Sequence, residues 1–196
     1  MPAYNEEECI AAVVQGWLNE FQRLFADSFR MVVVNDGSRD RTGQILDTLA
    51  TTESRLRVIN QPNAGHGGAL LRGYREAVAL NPDYVFHVDS DDQFKPADFE
   101  LLWRRRTESP CILGYRFVRH DALHRLVITR ILRFVLMLLY GRYMKDSNVP
   151  FRLLKTEFLA EALRIIPPQT FAPNIFIAVL GARIDADLMH IPFSHE

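Results

Sequence analysis

The sequence predicts a three-layer α/β fold built around a mostly parallel sheet. Short runs rich in β-branched and aromatic residues alternate with amphipathic stretches of helical length, the order of strand–helix units. The strongest of these runs, residues 84–88, is near-continuously apolar, as a strand covered on both faces requires. Asp36, Gly65 and Asp89 each follow a predicted strand. Right-handed crossovers place such loops on one rim, the carboxyl edge where open α/β sheets bind ligands.

The elements follow in chain order. The opening acids Glu6, Glu7 and Glu8 suit the first turn of a helix, where they face the positive end of the dipole. Ile10, Val13, Val14, Trp17, Leu18, Phe21, Leu24 and Phe25 then recur at helical spacing and give one broad buried face. Residues 30–34 form a strand that runs into the turn-rich loop 35–42. That loop caps a helix holding Ile45, Leu46 and Leu49. A strand at 56–60, a glycine turn at 63–68 and a helix at 69–80 come next. A strand at 84–89, a helix at 98–106 and a strand at 111–115 close the first half, with Trp17 and Trp103 as core residues.

The second half changes character. Residues 120–143 read as one long helix in which Arg125, Arg130, Arg133 and Arg142 punctuate an apolar run. The arginines exclude a comfortable span across a bilayer. Two readings stay open: a helix lying in the membrane interface, and a helix packed into the core or a dimer seam. A strand at 149–155, a helix at 157–165, a break at Pro167-Pro168, a helix at 174–180 and a strand at 184–193 complete the chain.

Composition narrows the function. The 196 residues fit a single domain, 1–196, with an N-terminal half 1–115 and a second half 116–196. A net charge of −1 argues against a nucleic-acid partner. Cys9 and Cys111 sit in apolar surroundings and read as packed thiols of a reducing compartment. The polar, acidic start is unlike a signal peptide, so the cytoplasm is the expected location.

The acidic end of the 84–89 strand is the chemical centre of the sequence. Side chains alternate along a strand, so Asp89 and Asp91 can point the same way while Ser90 points away. Two hard oxygen ligands side by side suit Mg²⁺ or Mn²⁺, with substrate phosphates completing the shell. The bland alternative is a solvated acidic turn.

Several motifs stand in a telling order. They are Pro2-Ala3-Tyr4-Asn5-Glu6, Asn35-Asp36-Gly37-Ser38 with Asp40 and Thr42, Asn63-Ala64-Gly65, and Asp89-Ser90-Asp91 with Gln93. Gly114-Tyr115-Arg116 and Asp146-Ser147-Asn148-Val149-Pro150-Phe151-Arg152 continue the series. Together they resemble family 2 glycosyltransferases of the glycosyltransferase-A fold, above all those that transfer mannose or glucose to dolichyl or polyprenyl phosphate. Each motif alone is weak; the ordered set covers nearly the whole chain.

The resemblance implies roles. Pro2, Ala3, Tyr4 and Glu6 would contact the nucleotide base and ribose, and Asp36 would hydrogen-bond the base. Asp89, Ser90 and Asp91 match the D-x-D motif, whose two acids bind the diphosphate through a divalent metal. Gln93 would sit beside the sugar or acceptor, and Arg116 and Arg152 would meet phosphate charge. The donor would be a UDP- or GDP-sugar and the acceptor a lipid phosphate. The protein would contact the inner membrane face peripherally through residues 120–143. A saccharide hydroxyl acceptor is the enzymatic alternative, with Asp91, Asp92 or Asp146 as candidate bases. The Q-x-x-R-W motif of processive synthases is absent, which favours transfer of one sugar.

The pattern also departs from the family. Only Met1 precedes Pro2, where relatives carry an apolar first strand, so the sheet is expected to lack it. Asn35 stands where an acid is usual. A binding or scaffold protein that has lost activity with that strand is therefore a rival. A dinucleotide oxidoreductase is disfavoured because the third glycine of its loop falls on Leu70, and a nucleotidyltransferase because of the P-x-Y-N-E opening. His66 reads as a loop residue, and His195 as a solvated terminal histidine.

Overall fold

A computed structural model describes residues 1–116, 148–183 and 189–193. The long helix expected at 120–143, the residues Asp146 and Ser147, and His195 lie outside the described residues. Among the described residues no helix is long and apolar enough to cross a membrane.

The strands are β1 (Pro2–Ala3), β2 (Met31–Asn35), β3 (Leu56–Asn60), β4 (Tyr84–Val88), β5 (Cys111–Arg116), β6 (Phe151–Lys155) and β7 (Met189–Phe193). The helices are α1 (Ile10–Phe25), α2 (Thr42–Thr52), α3 (Gly65–Ala79), α4 (Phe99–Trp103, entered by a 3₁₀ turn at Pro96–Asp98), α5 (Thr156–Ile165) and α6 (Pro173–Arg183). The alternation foreseen from the sequence is present.

The sheet is divided. β1, β2 and β3 form a parallel three-stranded sheet in that order. β4, β6, β5 and β7 form a mixed sheet, antiparallel at β4–β6 and β6–β5 and parallel at β5–β7. The expectation that the first strand is missing needs adjustment. Pro2 and Ala3 pair with Val34 and Asn35 as a two-residue parallel strand.

Strand periodicity sorts the side chains of β4 and β6 onto two faces. Phe86 and Phe151 point to the α1 and α4 side, where Trp17, Phe99 and Phe86 meet with ring centroids 4.8 to 5.2 Å apart. Val85, His87, Arg152 and Leu154 share the opposite face with α3, and the His87 ring lies 5.5 Å from that of Tyr74. Trp17 is buried, as its helical spacing predicts.

The acids before α1 do not form its first turn. The helix begins at Ile10, and the Glu6 carbonyl accepts the Cys9 and Ile10 N–H groups at 3.1 and 2.8 Å. The glutamates are drawn into contacts across the sheet rim, described next.

Candidate active site

The rim of the sheet carries a cavity of about 430 Å³. It is lined by Pro2, Ala3, Tyr4, Glu6, Asp36, Asn63, Gly65, His66, Ala69, Asp89, Ser90 and Asp91. Eight sequence-predicted residues therefore converge on one pocket: Pro2, Ala3, Tyr4, Glu6, Asp36, Asp89, Ser90 and Asp91. Every one follows β1, β2 or β4 or belongs to β1, which is why they share a rim.

Two loops form the pocket floor and are stitched together. Asn5, in the left-handed region at φ 56°, donates its N–H to Ser38 Oγ at 3.0 Å and accepts Arg39 N–H on Oδ1 at 2.9 Å. The Glu6 N–H reaches Thr42 Oγ1 at 2.8 Å. The Glu7 N–H reaches Asp40 Oδ2 at 3.1 Å, and Glu7 Oε2 accepts the Arg41 N–H at 2.9 Å. Asp40 and Thr42 thus hold the loop that follows β2 to the turn that follows β1. Burial acts to raise the Asp40 pKa, but bonds from Thr42 and Glu7 more than offset it and hold the carboxyl below its usual range.

Asn35 belongs to this framework. Its Nδ2 donates to Asn60 Oδ1 at 2.8 Å and its Oδ1 accepts the Ser38 N–H at 3.2 Å, so it fixes loop shape. Gly37 has φ 71°, and a Cβ there would meet the Asn63 backbone nitrogen, so the turn requires glycine.

Asp36 is buried at the pocket wall with Oδ1 held by Gln61 Nε2 at 2.7 Å and by the Ala64 N–H at 2.9 Å. Both bonds fall on one oxygen, so Oδ2 is the atom available to a ligand N–H. Across the pocket, Cys9 Sγ donates to Glu6 Oε2 at 3.2 Å and approaches Ser90 O at 3.6 Å. Burial and the neighbouring carboxylate push its thiol up to about 11, so Cys9 is a neutral pin between two walls.

Asp89 and His87 lie two residues apart and share a face. Their Oδ1 and Nε2 are 3.3 Å apart. Burial pushes His87 down to about 4, so the ring is neutral near pH 7. Nε2–H donates to Asp89, which leaves the buried Nδ1 without a partner among the described residues. Burial opposes ionisation of Asp89, yet the hydrogen bond from His87 outweighs it and holds the carboxyl below the usual value. Asp91 is exposed, and its Oδ1 accepts the Gln93 N–H at 3.3 Å.

The divalent cation suggested by the sequence fits this donor set. Two ionisable carboxylates face one pocket, and among the described residues no group of three or more His, Cys, Asp or Glu could hold a metal alone. Asp89 and Asp91 as ligands would leave coordination positions for water and phosphate oxygens, as Mg²⁺ usually keeps.

Two predicted residues, Gln93 and Arg152, sit elsewhere. Gln93 is exposed and does not line the pocket. Arg116 ends β5, and its side chain lies outside the described residues. Arg152 is fully buried opposite His87 in β6. Its guanidinium donates to Val149 O from Nε at 3.0 Å and to Asn174 O from Nη1 at 2.9 Å. An arginine so held ties the approach to β6 to the first turn of α6.

The sequence reading took His66 for a loop residue and placed Gly65 on the rim within the Asn63-Ala64-Gly65 motif without a site role. They line the pocket because α3 starts at Gly65, φ 77°, four residues earlier than its apolar periodicity suggests. Its cap residue Ala64 has no side-chain acceptor, Asn63 Oδ1 takes the Gly65 N–H at 3.3 Å, and the first turn carries the positive helix end to the pocket. The glycine-rich start offers no apolar repeat to mark it as helical, so only the Asn63-Ala64-Gly65 motif pointed here.

The model of the family described as "Glycosyl transferase family 2" matches residues 1–156. The chain belongs to this family. A dolichyl-phosphate beta-glucosyltransferase of Trichomonas vaginalis is 31% identical over 170 residues, covering 78% of this chain and 51% of that protein. An undecaprenyl-phosphate 4-deoxy-4-formamido-L-arabinose transferase of Pectobacterium atrosepticum is 24% identical over 193 residues, covering 97% and 58%. The chain therefore spans little more than half the length of these two relatives. Glucosyl-3-phosphoglycerate synthase from Mycobacterium tuberculosis, solved with Mn²⁺ and UDP-glucose, shares the fold at a TM-score of 0.65 and 20% identity, over 100% of this chain and 68% of that one. The family 2 chain described here thus has the glycosyltransferase-A architecture its motif order suggested.

Proposed function

We propose that the pocket binds a nucleotide-diphosphate sugar, UDP- or GDP-linked, and that the protein transfers its single sugar to a lipid phosphate of the polyprenyl class. The observation that carries this reading is the convergence of Asp36, Asp89, Asp91 and the first turn of α3 on one cavity. Asp36 Oδ2 accepts an N–H of the base, and the Tyr4–Glu6 turn seats the ribose. Asp89 and Asp91 would hold Mg²⁺ or Mn²⁺, which supplies positive charge beside the diphosphate when bound. His87 keeps Asp89 oriented and ionised. The first-turn amides of α3 face the diphosphate and favour its negative charge.

Displacement is inverting: an acceptor oxygen attacks the sugar carbon from the face opposite the diphosphate, and the nucleoside diphosphate leaves with the bonding electrons. A lipid phosphate oxygen is already anionic and needs no base. Two findings support the lipid acceptor. The relatives named above act on dolichyl and undecaprenyl phosphate by name. Phe171, 90% exposed, lies on the loop that abuts Gly67, one residue from His66 on the pocket wall. An isoprenoid tail leaving the pocket meets an aromatic there. Arg152 acts as a positioning residue, holding the β6 and α6 backbone from within the core.

Thermal unfolding with UDP, GDP, CDP or dTDP, each with and without Mn²⁺, tests the donor reading. A nucleotide at 100 times its dissociation constant stabilises the native state by about 2.7 kcal/mol. One nucleotide shifting the transition only with Mn²⁺ is the expected result. No shift with any of them, in a folded protein, returns the chain to the scaffold reading. Asp91→Asn should abolish transfer to polyprenyl phosphate and leave the fold intact; transfer at the wild-type rate would remove Asp91 from the site.

A further inference from the structure

Apart from His87, β4 consists of apolar and aromatic residues. The His87 side chain is 3% exposed. Burying an imidazole takes both ring nitrogens out of water. Nδ1 finds no partner among the described residues. Nε2 finds one, Asp89 Oδ1 at 3.3 Å. That single bond is what a histidine gives this strand and an apolar residue would not.

The ring is held in place from two directions. On the α3 side it meets the Tyr74 ring edge-on, at 5.5 Å between centroids. Tyr74 is itself fixed, because its buried hydroxyl donates to Asn174 Oδ1 at 2.9 Å. Within the sheet, His87 stands opposite Arg152 in the β4–β6 register. Burial, and to a smaller extent that guanidinium, oppose an imidazolium, so the ring donates its hydrogen bond without bringing a charge.

The distinction matters to a cation. A lysine or arginine behind Asp89 would cancel the negative charge that a metal ion needs. A neutral N–H orients the carboxylate and leaves its charge in place. The bond falls on Oδ1, and Oδ2 accepts no hydrogen bond among the described residues. Asp89 lines the pocket with 22% of its side chain exposed, so one oxygen can be tied inward while the carboxylate still meets a ligand.

We propose that His87 is the positioning residue of the cation site: through Nε2 it fixes the Asp89 carboxylate, leaves Oδ2 for the ion, and so sets the affinity for Mg²⁺ or Mn²⁺. The inference rests on the metal role given to Asp89 above. His87 touches neither the ion nor the nucleotide; it acts through Asp89, as the outer partners of metal ligands do.

The test needs no turnover. The full chain is melted at a fixed concentration of UDP or GDP while Mn²⁺ is titrated, and the Mn²⁺ concentration giving half of the nucleotide-dependent shift is read. His87→Leu keeps the bulk and removes the donor. It should raise that concentration about tenfold or more, with an unchanged circular dichroism spectrum. The side-chain nitrogen of glutamine stands where Nε2 does, and that of asparagine where Nδ1 does. His87→Gln should therefore restore most of the affinity and His87→Asn should not, a difference that a merely structural role would not produce. The proposal is overturned if folded His87→Leu requires no more Mn²⁺ than wild type, or if asparagine restores affinity as well as glutamine. If His87→Leu does not fold, the comparison of glutamine with asparagine decides in the same way. A wild-type protein that shows no Mn²⁺-dependent shift with either nucleotide overturns the metal reading itself, and this proposal with it.

Discussion

Replacing Arg152 by Met decides between two roles for one residue. The family resemblance places its guanidinium on phosphate; the structure encloses it and directs it at Val149 O and Asn174 O. Methionine has similar reach and no donors. At least two carbonyls then lose a partner in the core, at about 1 to 2 kcal/mol each. A loss of about 2 to 4 kcal/mol follows. At about 2 to 4 °C per kcal/mol for a chain of this size, the melting temperature falls by roughly 5 to 15 °C. Urea unfolding followed by tryptophan emission measures it. Arg152→Lys should recover little, because one ammonium cannot reproduce the fork that serves both carbonyls. The reasoning is refuted if Arg152→Met unfolds within about 0.5 kcal/mol of wild type, the ordinary range of an inconsequential substitution, and yet loses transfer. Arg152 would then act on phosphate after all.

Gly67→Ala pits helix propensity against space. Alanine gains about 1 kcal/mol in a helix interior, but its Cβ would collide with the Thr170 and Phe171 backbone oxygens. Net destabilisation of about 1 to 2 kcal/mol is expected, the usual range for forcing a methyl into closed space; a stabilised variant would show that loop 170–171 yields freely. Acidification should reveal His87. Its pKa is about 4 when folded against an ordinary 6.5, so the unfolded chain takes the proton first. The stability it confers is complete above pH 6.5 and is lost as pH falls towards 4, about 3 kcal/mol in all. His87→Gln keeps a donor for Asp89 and should flatten that segment of the stability–pH curve. Parallel curves for the two proteins would assign the slope to other groups.

Much of the fold was legible because strand 31–34 carries an unbroken apolar run, strand 84–88 one broken only by His87, and α1 a strong 3.6-residue repeat. The rim was legible for a related reason: chemistry-bearing residues stood directly after those runs. Arg152 was not. In Phe151-Arg152-Leu153-Leu154 nothing local distinguishes an arginine facing solvent from one turned into the core opposite His87. The antiparallel setting of β6 and the break between the sheets were also hidden, since both depend on pairings between segments far apart in sequence. His66 escaped because a helix that starts on Gly65-His66-Gly67-Gly68 has no periodic signal in its first turn.

The bonds that join the Asn5–Glu7 turn to the Ser38–Thr42 loop have a consequence for recognition. Each donor amide is already matched, so a nucleotide entering the pocket meets a floor that has no ordering left to undergo. The entropy of arranging those residues was spent when the chain folded, and the ligand does not spend it again. Amide exchange at Asn5, Glu6, Glu7, Arg39 and Arg41 should therefore be slow and concerted in the ligand-free protein, and change little when the pocket fills.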